Sequence, residues 1–244
     1  MSTYTQLKYY DDSYQFDDTA KVLAVFPQEN GSQAVILDQT IMYPQGGGQP
    51  YDTGTISQDD TVFVVTDVRY KDGQVYHIGH FTNGTLKPEE AAVHVDEPRR
   101  RLHARIHTAG HLVDDALYDL GYKMTPLKGY HFPDDPYVEY QNELSGDLVA
   151  IAQQIEIKIN ALIATNFAVR SEIVHSIAEL KGKCPYLPPH IPEGKPIRII
   201  YASSDTKGQT CGGTHVKYLQ EIGTVRIPKI KVKKGTTRVS YLVT

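Results

Sequence analysis

The sequence predicts an α+β protein in two parts: a small β-barrel over residues 1–95, then an α+β domain over residues 96–244. Three observations predict it. Up to about residue 95 the apolar runs are short and separated by turn chemistry. From Leu102 the apolar spacing changes to that of a helix. Beyond Gly121, strand-like runs alternate with a second helical pattern.

In the first part, "AKVLAVF", "SQAVILD", "GTISQDDTVFVVTDVRY" and "GQVYHIG" read as strands. The segments "NGS", "PQGGGQPYDTG", "KDG" and "TNG" break them with residues that favour tight turns. Strands this closely spaced, with no helix between them, suggest a barrel. "KPEEAAVHVDEPRRR" reads as a last strand and a crossing into the second part. There Leu102, Ile106, Ala109, Leu112, Val113, Ala116, Leu117 and Leu120 follow helical spacing, with Gly121 as the stop. "MTPLKGYHFPDDPYVEYQNEL" reads as a hairpin. A second helix follows "SGD", with Ile151, Ile155, Ile159, Leu162 and Ile163 on one face. "FAVRSEIVHSI", "PIRIIYASS", "EIGTVRIPKIKVK" and "TRVSYLVT" supply further strands.

Hydrophobic residues make up 40% and charged residues 22% of the chain, a soluble globular balance. No segment approaches the ~20 apolar residues of a membrane span, and the polar N-terminus has no secretory apolar run. The expected location is the cytoplasm. A formal net charge of −4 argues against holding nucleic acid through overall charge. Two local patches stand against that average. One is the arginine cluster Arg99, Arg100, Arg101 and Arg105. The other is "IPKIKVKKGTTR", where Lys229, Lys231 and Lys233 would share one strand face while Ile230 and Val232 face a core.

The two cysteines sit in unlike settings. A structural disulfide is not expected in a reducing compartment. Cys184 reads as a small residue at a helix end. Cys211 has polar neighbours: "CGGTH" sets Cys211 and His215 four apart around two glycines, which forbid a stable helix and let thiolate and imidazole converge. In "RIHTAGHLV", His107 and His111 are also four apart, one turn along one helix face. "HTAGH" lacks the glutamate that a zincin protease uses as base, so the spacing does not imply peptide hydrolysis. His103 lies too far along the helix to share one ion with His111, and reads as a residue behind the ligands or at the surface. Three imidazoles and a thiolate make a complete donor set for zinc. One zinc per chain is expected on His107, His111, Cys211 and His215.

"RIHTAGHLV" and "QTCGGTHV" resemble the paired histidine and cysteine–histidine motifs of the editing domain of alanyl-tRNA synthetase. That domain also occurs as free-standing editing proteins of the AlaX type. "LDQTIMYPQGGGQPYDTG" resembles the glycine-rich segment that precedes it in the synthetase and in the longer free-standing forms. The resemblance runs from about Ala20 to the C-terminus, and the motif order agrees. It implies a trans-editing hydrolase that cleaves the ester joining serine, and in second place glycine, to alanine tRNA. Nothing resembles the synthetase's ATP-binding domain, so the expected substrate is a tRNA charged by another enzyme. The acceptor end of alanine tRNA is the expected partner, with the arginine cluster and the lysine strand holding its phosphates.

Size alone cannot separate serine and glycine from alanine, which lies between them. A hydrogen-bonding site for the serine hydroxyl can, because alanine leaves it unpaired. By resemblance Gln49, after Gly47 and Gly48, lies in the editing pocket opposite the zinc, and Thr40 is a second reader of the hydroxyl. The tripeptide "GGQ" also occurs in release factors, but the flanking residues match the editing family. Zinc could activate a water or orient the substrate, and no general base is named. The alternatives are a non-enzymatic tRNA-binding module with a structural zinc, or a metallohydrolase acting on another ester.

Overall fold

The computed structural model describes residues 4–29, 31–186 and 196–244. Asn30 of the predicted "NGS" turn, and residues 187–189 that follow Cys184 and its neighbours, lie outside the described residues. The chain separates into two compact units, Met1–Leu102 and His103–Thr244.

The first unit contains β1 (Gln6–Leu7), β2 (Asp17–Pro27), β3 (Gln33–Leu37), β4 (Gln39–Thr40), β5 (Gly54–Gln58), β6 (Thr61–Lys71), β7 (Gln74–Phe81) and β8 (Glu90–Val95). Six of these close a barrel in the order β2-β3-β7-β6-β5-β8, and β1 and β4 form a short parallel pair beside it. Alternation fills the interior: Val22, Leu37, Ile56, Phe63, Val65 and Val93 are buried in one cluster. Every strand read from the sequence in this unit is present. The pair β1 and β4, two residues each, has no period to read.

Helix α1 (Glu97–Asp119) begins five residues before the helical spacing at Leu102. Asp96 starts it. Its carboxylate accepts from Arg99 N at 3.1 Å, as an N-cap does, and Pro98 fits a first turn whose N–H groups need no partner. The arginine cluster therefore sits on helix rather than on a crossing, and its members are committed to the fold. Arg100 is fully buried, with Nε donating to both Asp52 oxygens, Nη1 to Ser13 O at 2.8 Å and Nη2 to Ile41 O at 2.5 Å. Arg99 donates to Tyr51 O, Arg101 pairs with Glu97, and Arg105 donates to Ile222 O. A phosphate-holding role is thus corrected for Arg100, which is fully buried; Arg99, Arg101 and Arg105 are half-buried and each makes a contact within the protein.

The second unit continues with β9 (Pro126–Tyr130), β10 (Tyr137–Tyr140), α2 (Leu148–Ala164), β11 (Arg170–Val174), α3 (Ile177–Leu180), β12 (Ile197–Tyr201), β13 (Gly208–Thr210), β14 (Val225–Lys233) and β15 (Thr236–Val243). The antiparallel orders are β14-β15-β10-β9 and β11-β12-β13. Ile106, Ala109, Leu112, Val113, Ala116 and Leu117 are buried along α1, whereas Leu102 and Leu120 at its ends are exposed. Gly121, at φ +83°, ends the helix as its sequence position predicts. Asp147 caps α2, which buries Ile151, Ile155, Ile159 and Ile163. Cys184 packs against Val174, Leu180, Ile199 and Tyr201. Strand β13 and helix α3 are three and four residues long, too short to show a period.

Strand β14 carries a bulge between Arg226 and Lys229, around Pro228, which has no N–H to offer a ladder. Beyond it Lys229, Lys231 and Lys233 are exposed and Ile230 is buried, as the alternation predicts. Lys234 and Gly235, both at positive φ, join β14 to β15 as a two-residue hairpin turn.

Two tests follow from the first unit. Removing Arg100 leaves the Asp52 carboxylate buried without its guanidinium, so Arg100→Met should destabilise the protein by about 3–5 kcal/mol in urea denaturation. Full stability in that variant would contradict the pairing. His77 is fully buried, and burial lowers its pKa from 6.5 to about 4. The unfolded chain then binds the extra proton first. Stability is complete above pH 6.5 and falls by about 3 kcal/mol as the pH drops to about 4. His77→Gln should flatten that part of the pH–stability curve.

Candidate metal centre

His107 and His111 lie on α1, and both are buried. Cys211 follows β13 directly, with its N–H held by Arg198 O at 3.0 Å, and His215 ends the same loop. The loop is not helical, as its two glycines dictate. The Gly213 N–H reaches back to Cys211 Sγ at 3.3 Å, and Arg198 Nη1 donates to Gly213 O at 2.6 Å. Helix and loop bring one donor atom from each of His107, His111, Cys211 and His215 within 4.8 Å of one another. Cys211 Sγ lies 3.4 Å from His107 Nε2.

Zinc bonds of ~2.1 Å to nitrogen and ~2.3 Å to sulfur place tetrahedral ligands roughly 3.4–3.8 Å apart. The donor types fit a transition metal such as zinc, the Cys211 Sγ–His107 Nε2 separation of 3.4 Å matches that spacing, and the rest of the set lies within 4.8 Å. The titration behaviour is that of a site shielded from water. Burial lowers His111 to about 4 and holds His107 and His215 well below the ordinary imidazole range, while it raises the Cys211 thiol. At neutral pH the three imidazoles are neutral, the form that binds a metal.

The residues behind the ligands fix their ring nitrogens. The Thr108 hydroxyl donates to Ala104 O at 2.7 Å, so the His215 Nδ1–H, 3.1 Å away, donates to Thr108 Oγ1. The His111 Nδ1–H donates to Gln209 Oε1 at 2.6 Å, and Gln209 Nε2 donates in turn to Asp115 Oδ1 at 3.1 Å. Asp115 also accepts from the Ser203 hydroxyl. Each arrangement leaves Nε2 as the ligand nitrogen.

His103 is buried at 1% exposure, so of its two readings the surface one is corrected. His131 was missed. Its ring stacks on His107 at 4.3 Å between centroids, and its Nδ1 lies 2.6 Å from Tyr241 Oη, which donates to Ile106 O. The signal was Gly110 inside the helix. A Cβ there would stand 2.5 Å from His131 Cε1, so a residue that weakens a helix by about 1 kcal/mol is the one that admits this ring.

In the first unit, Gly47 and Gly48 have φ +54° and +79°, the left-handed pair of a tight hairpin turn. Gly46 and Gln49 exchange backbone hydrogen bonds of 2.9 and 3.2 Å across it, and Tyr43 Oη donates to Gly46 O. The segment is an ordered turn on which Gln49 is fully buried. Thr40 is also buried. His77 Nδ1 donates to Val35 O at 3.0 Å, so Thr40 Oγ1 donates to His77 Nε2 at 2.8 Å and accepts from Met42 N.

A closed barrel, together with an α+β unit that buries a His₃Cys cluster, defines a two-unit protein with a candidate zinc centre. The comparisons place it among known proteins. The family profile described as "tRNA synthetases class II (A)" matches residues 2–99. The alanine–tRNA ligase of Halobacterium salinarum is 34% identical over 244 residues, covering 97% of this chain and 26% of that protein. That of Methanococcoides burtonii is 32% identical, with the same coverage of 97% and 26%. The alanyl-tRNA editing protein AlaX-L of Pyrococcus horikoshii is 29% identical over 238 residues, 96% of this chain and 56% of that protein. The chain is a homologue of alanine–tRNA ligases and of AlaX-L along nearly its whole length. It spans about a quarter of those ligases and a little over half of AlaX-L. Among the described residues no helix is long and apolar enough to cross a membrane.

The relay behind His111 is testable. Gln209→Ala removes the acceptor that orients its ring and should weaken zinc binding about 10–100-fold in chelator competition. Asp115→Asn, which leaves the amide in place, should cost less. Wild-type affinity in Gln209→Ala would exclude an orienting role.

Proposed function

We propose that this chain hydrolyses the ester between a wrongly attached amino acid and alanine tRNA, with serine as first substrate and glycine as second. The convergence of four donors from two motifs, three buried histidines and the half-buried Cys211, carries the reading, supported by the similarity to an alanyl-tRNA editing protein. One zinc is held by His107, His111, Cys211 and His215. When bound it supplies positive charge, to polarise an ester carbonyl and water or to orient the substrate's polar end.

The chain's own groups do the rest. Gln209 and Thr108 hold two imidazoles in the ligating tautomer, and His131 and Tyr241 brace His107. The resemblance gives Gln49 its place in reading the amino acid; Gly47 and Gly48 let backbone approach a ligand closely, and Thr40 is a second candidate for the hydroxyl. Gln49 offers an amide that both donates and accepts. Thr40 Oγ1, already bonded to His77 and Met42 N, keeps one lone pair for a substrate hydroxyl. Alanine has no hydroxyl to fill such a site, and leaving it unpaired disfavours the correct product.

A set of four protein ligands leaves no open position on a tetrahedral ion. That observation favours, as second reading, a tRNA-binding module whose zinc is structural.

The deciding experiment compares release of serine and of alanine from alanine tRNA by the zinc-loaded protein. Serine should be released much faster. Cys211→Ala should lose both zinc and turnover, whereas Gln49→Ala should keep zinc and lose discrimination. Tight tRNA binding without hydrolysis of either ester would establish the second reading. Hydrolysis of alanine alone, on threonine tRNA, would reassign the substrate.

A further inference from the structure

The face of the sheet β14-β15-β10-β9 turned away from α1 carries an ordered array of cations and rings. Register fixes its rows. Lys229, Ser240, Tyr137 and Tyr130 lie opposite one another across the four strands, and Lys231, Arg238, Glu139 and Lys128 form the next row. Residues directly opposite point to the same side of a sheet. The other side carries Tyr241 and Tyr140, whose hydroxyls bond Ile106 O and Asp114 of α1.

On the outward side, Lys128, Lys229, Lys231 and Lys233 are exposed. Among the described residues none has a carboxylate within ion-pair distance. Arg238 is different: it pairs with Glu139 at 3.0 Å and lies 3.8 Å over the Tyr137 ring. Other acids nearby are Asp134 and Asp135, in the turn between β9 and β10. They do not offset the lysines: the neighbouring Lys229 ammonium leads the causes that hold Lys231 below the ordinary lysine pKa. Like charges this close on a chain of net charge −4 mark a surface whose counter-charge comes from outside.

Beside them the rings of Phe132, Tyr130 and Tyr137 form a tier. Phe132 and Tyr130 stack at 4.5 Å and 13°, and Tyr130 and Tyr137 at 5.3 Å and 17°. Tyr137 is covered, but Tyr130 and Phe132 remain half-exposed. Lysines in file next to half-exposed flat rings match a polyanion that also carries planar bases. An acidic protein surface would use the lysines but not the rings.

We infer that the outward face of the four-stranded sheet, through Lys128, Lys229, Lys231, Lys233, Tyr130 and Phe132, is an RNA-docking surface. It rests on the tRNA reading above and deepens it. The α1 hydroxyl contacts of Tyr241 and Tyr140 lie on the other side of the sheet, so this face is separate from the side that packs on the helix carrying His107 and His111.

The test uses the full chain, zinc-loaded, with an uncharged alanine tRNA transcript followed by fluorescence anisotropy across a salt series. Lys229→Glu/Lys231→Glu should weaken binding at least tenfold and lower the salt slope by about two. Tyr130→Ala/Phe132→Ala should weaken binding several-fold with the slope unchanged. Lys71→Glu/Lys87→Glu, an equal charge change on exposed lysines of the first unit, should have little effect. The lysine changes are at exposed positions and should leave zinc content and melting temperature at wild-type values; the ring variant loses stacking, and its zinc content should stay at the wild-type value. Equal tRNA affinity in wild type and both sheet variants overturns the proposal and leaves the face to an acidic protein. An equal loss in the Lys71/Lys87 control overturns it as well.

Release of serine from a short aminoacylated acceptor fragment separates this from the function itself. If the sheet variants lose tRNA but still hydrolyse the fragment, both readings stand. If wild type hydrolyses neither ester while the sheet variants still lose tRNA, the docking surface stands and the hydrolase reading falls.

Discussion

Four donor atoms within 4.8 Å of one another, three on buried histidines and one on the half-buried Cys211, are the constraint on which the second unit turns. Three imidazoles and a thiol gain little from one another when they lose water. Burial holds the imidazoles neutral and the thiol protonated, which makes the cluster weak as a hydrogen-bond network and strong as a ligand set. The surrounding architecture reads as the cost of keeping that set in place. A rigid helix fixes two members one turn apart. A loop with Gly212 and Gly213 folds back far enough for its own amide to meet the sulfur, and Thr108 and Gln209 hold two rings from behind.

The barrel and the donor set were both legible in the sequence, for different reasons. Strands such as Gln74–Phe81 alternate buried and open residues and end at turn residues, so periodicity and punctuation agree. The donor set was legible only jointly: a histidine pair at i, i+4 on a helix is a weak signal alone, and the Cys-Gly-Gly-Thr-His loop supplies the two further donors that complete it. What could not be read was anything set by contact across long sequence distance. Arg100 looks like its neighbours Arg99 and Arg101, and nothing local says that Asp52, Ser13 and Ile41 lie around it. A run of arginines invites an electrostatic reading, and here the fold had already used Arg100.

His131 shows the same limit from the other side. A lone histidine in "GYHFPDD" carries no spacing signal. Its place beside His107 depends on a missing side chain at Gly110 and on a tyrosine more than a hundred residues later. Helix entry was misplaced for a simpler reason. Asp96 and Pro98 mark it plainly, but the apolar period used to find the helix begins only where the helix starts to bury residues in the second unit.

The bulge at Pro228 acts as a phase shift in the alternation of β14. Before it, Val225 and Ile227 point inward; after it, Ile230 does, and the lysines fall on the opposite parity. Removing one residue at the bulge would give a regular ladder, in which Lys229, Lys231 and Lys233 keep Ser240, Arg238 and Thr236 opposite them and stay on the outward face. The bulge is therefore where this strand can absorb a one-residue length change, whereas in a bulge-free ladder the same change would turn every side chain beyond it to the other face. Which face of this sheet is cationic is held by the hairpin register beyond the bulge, not by the length of the strand before it.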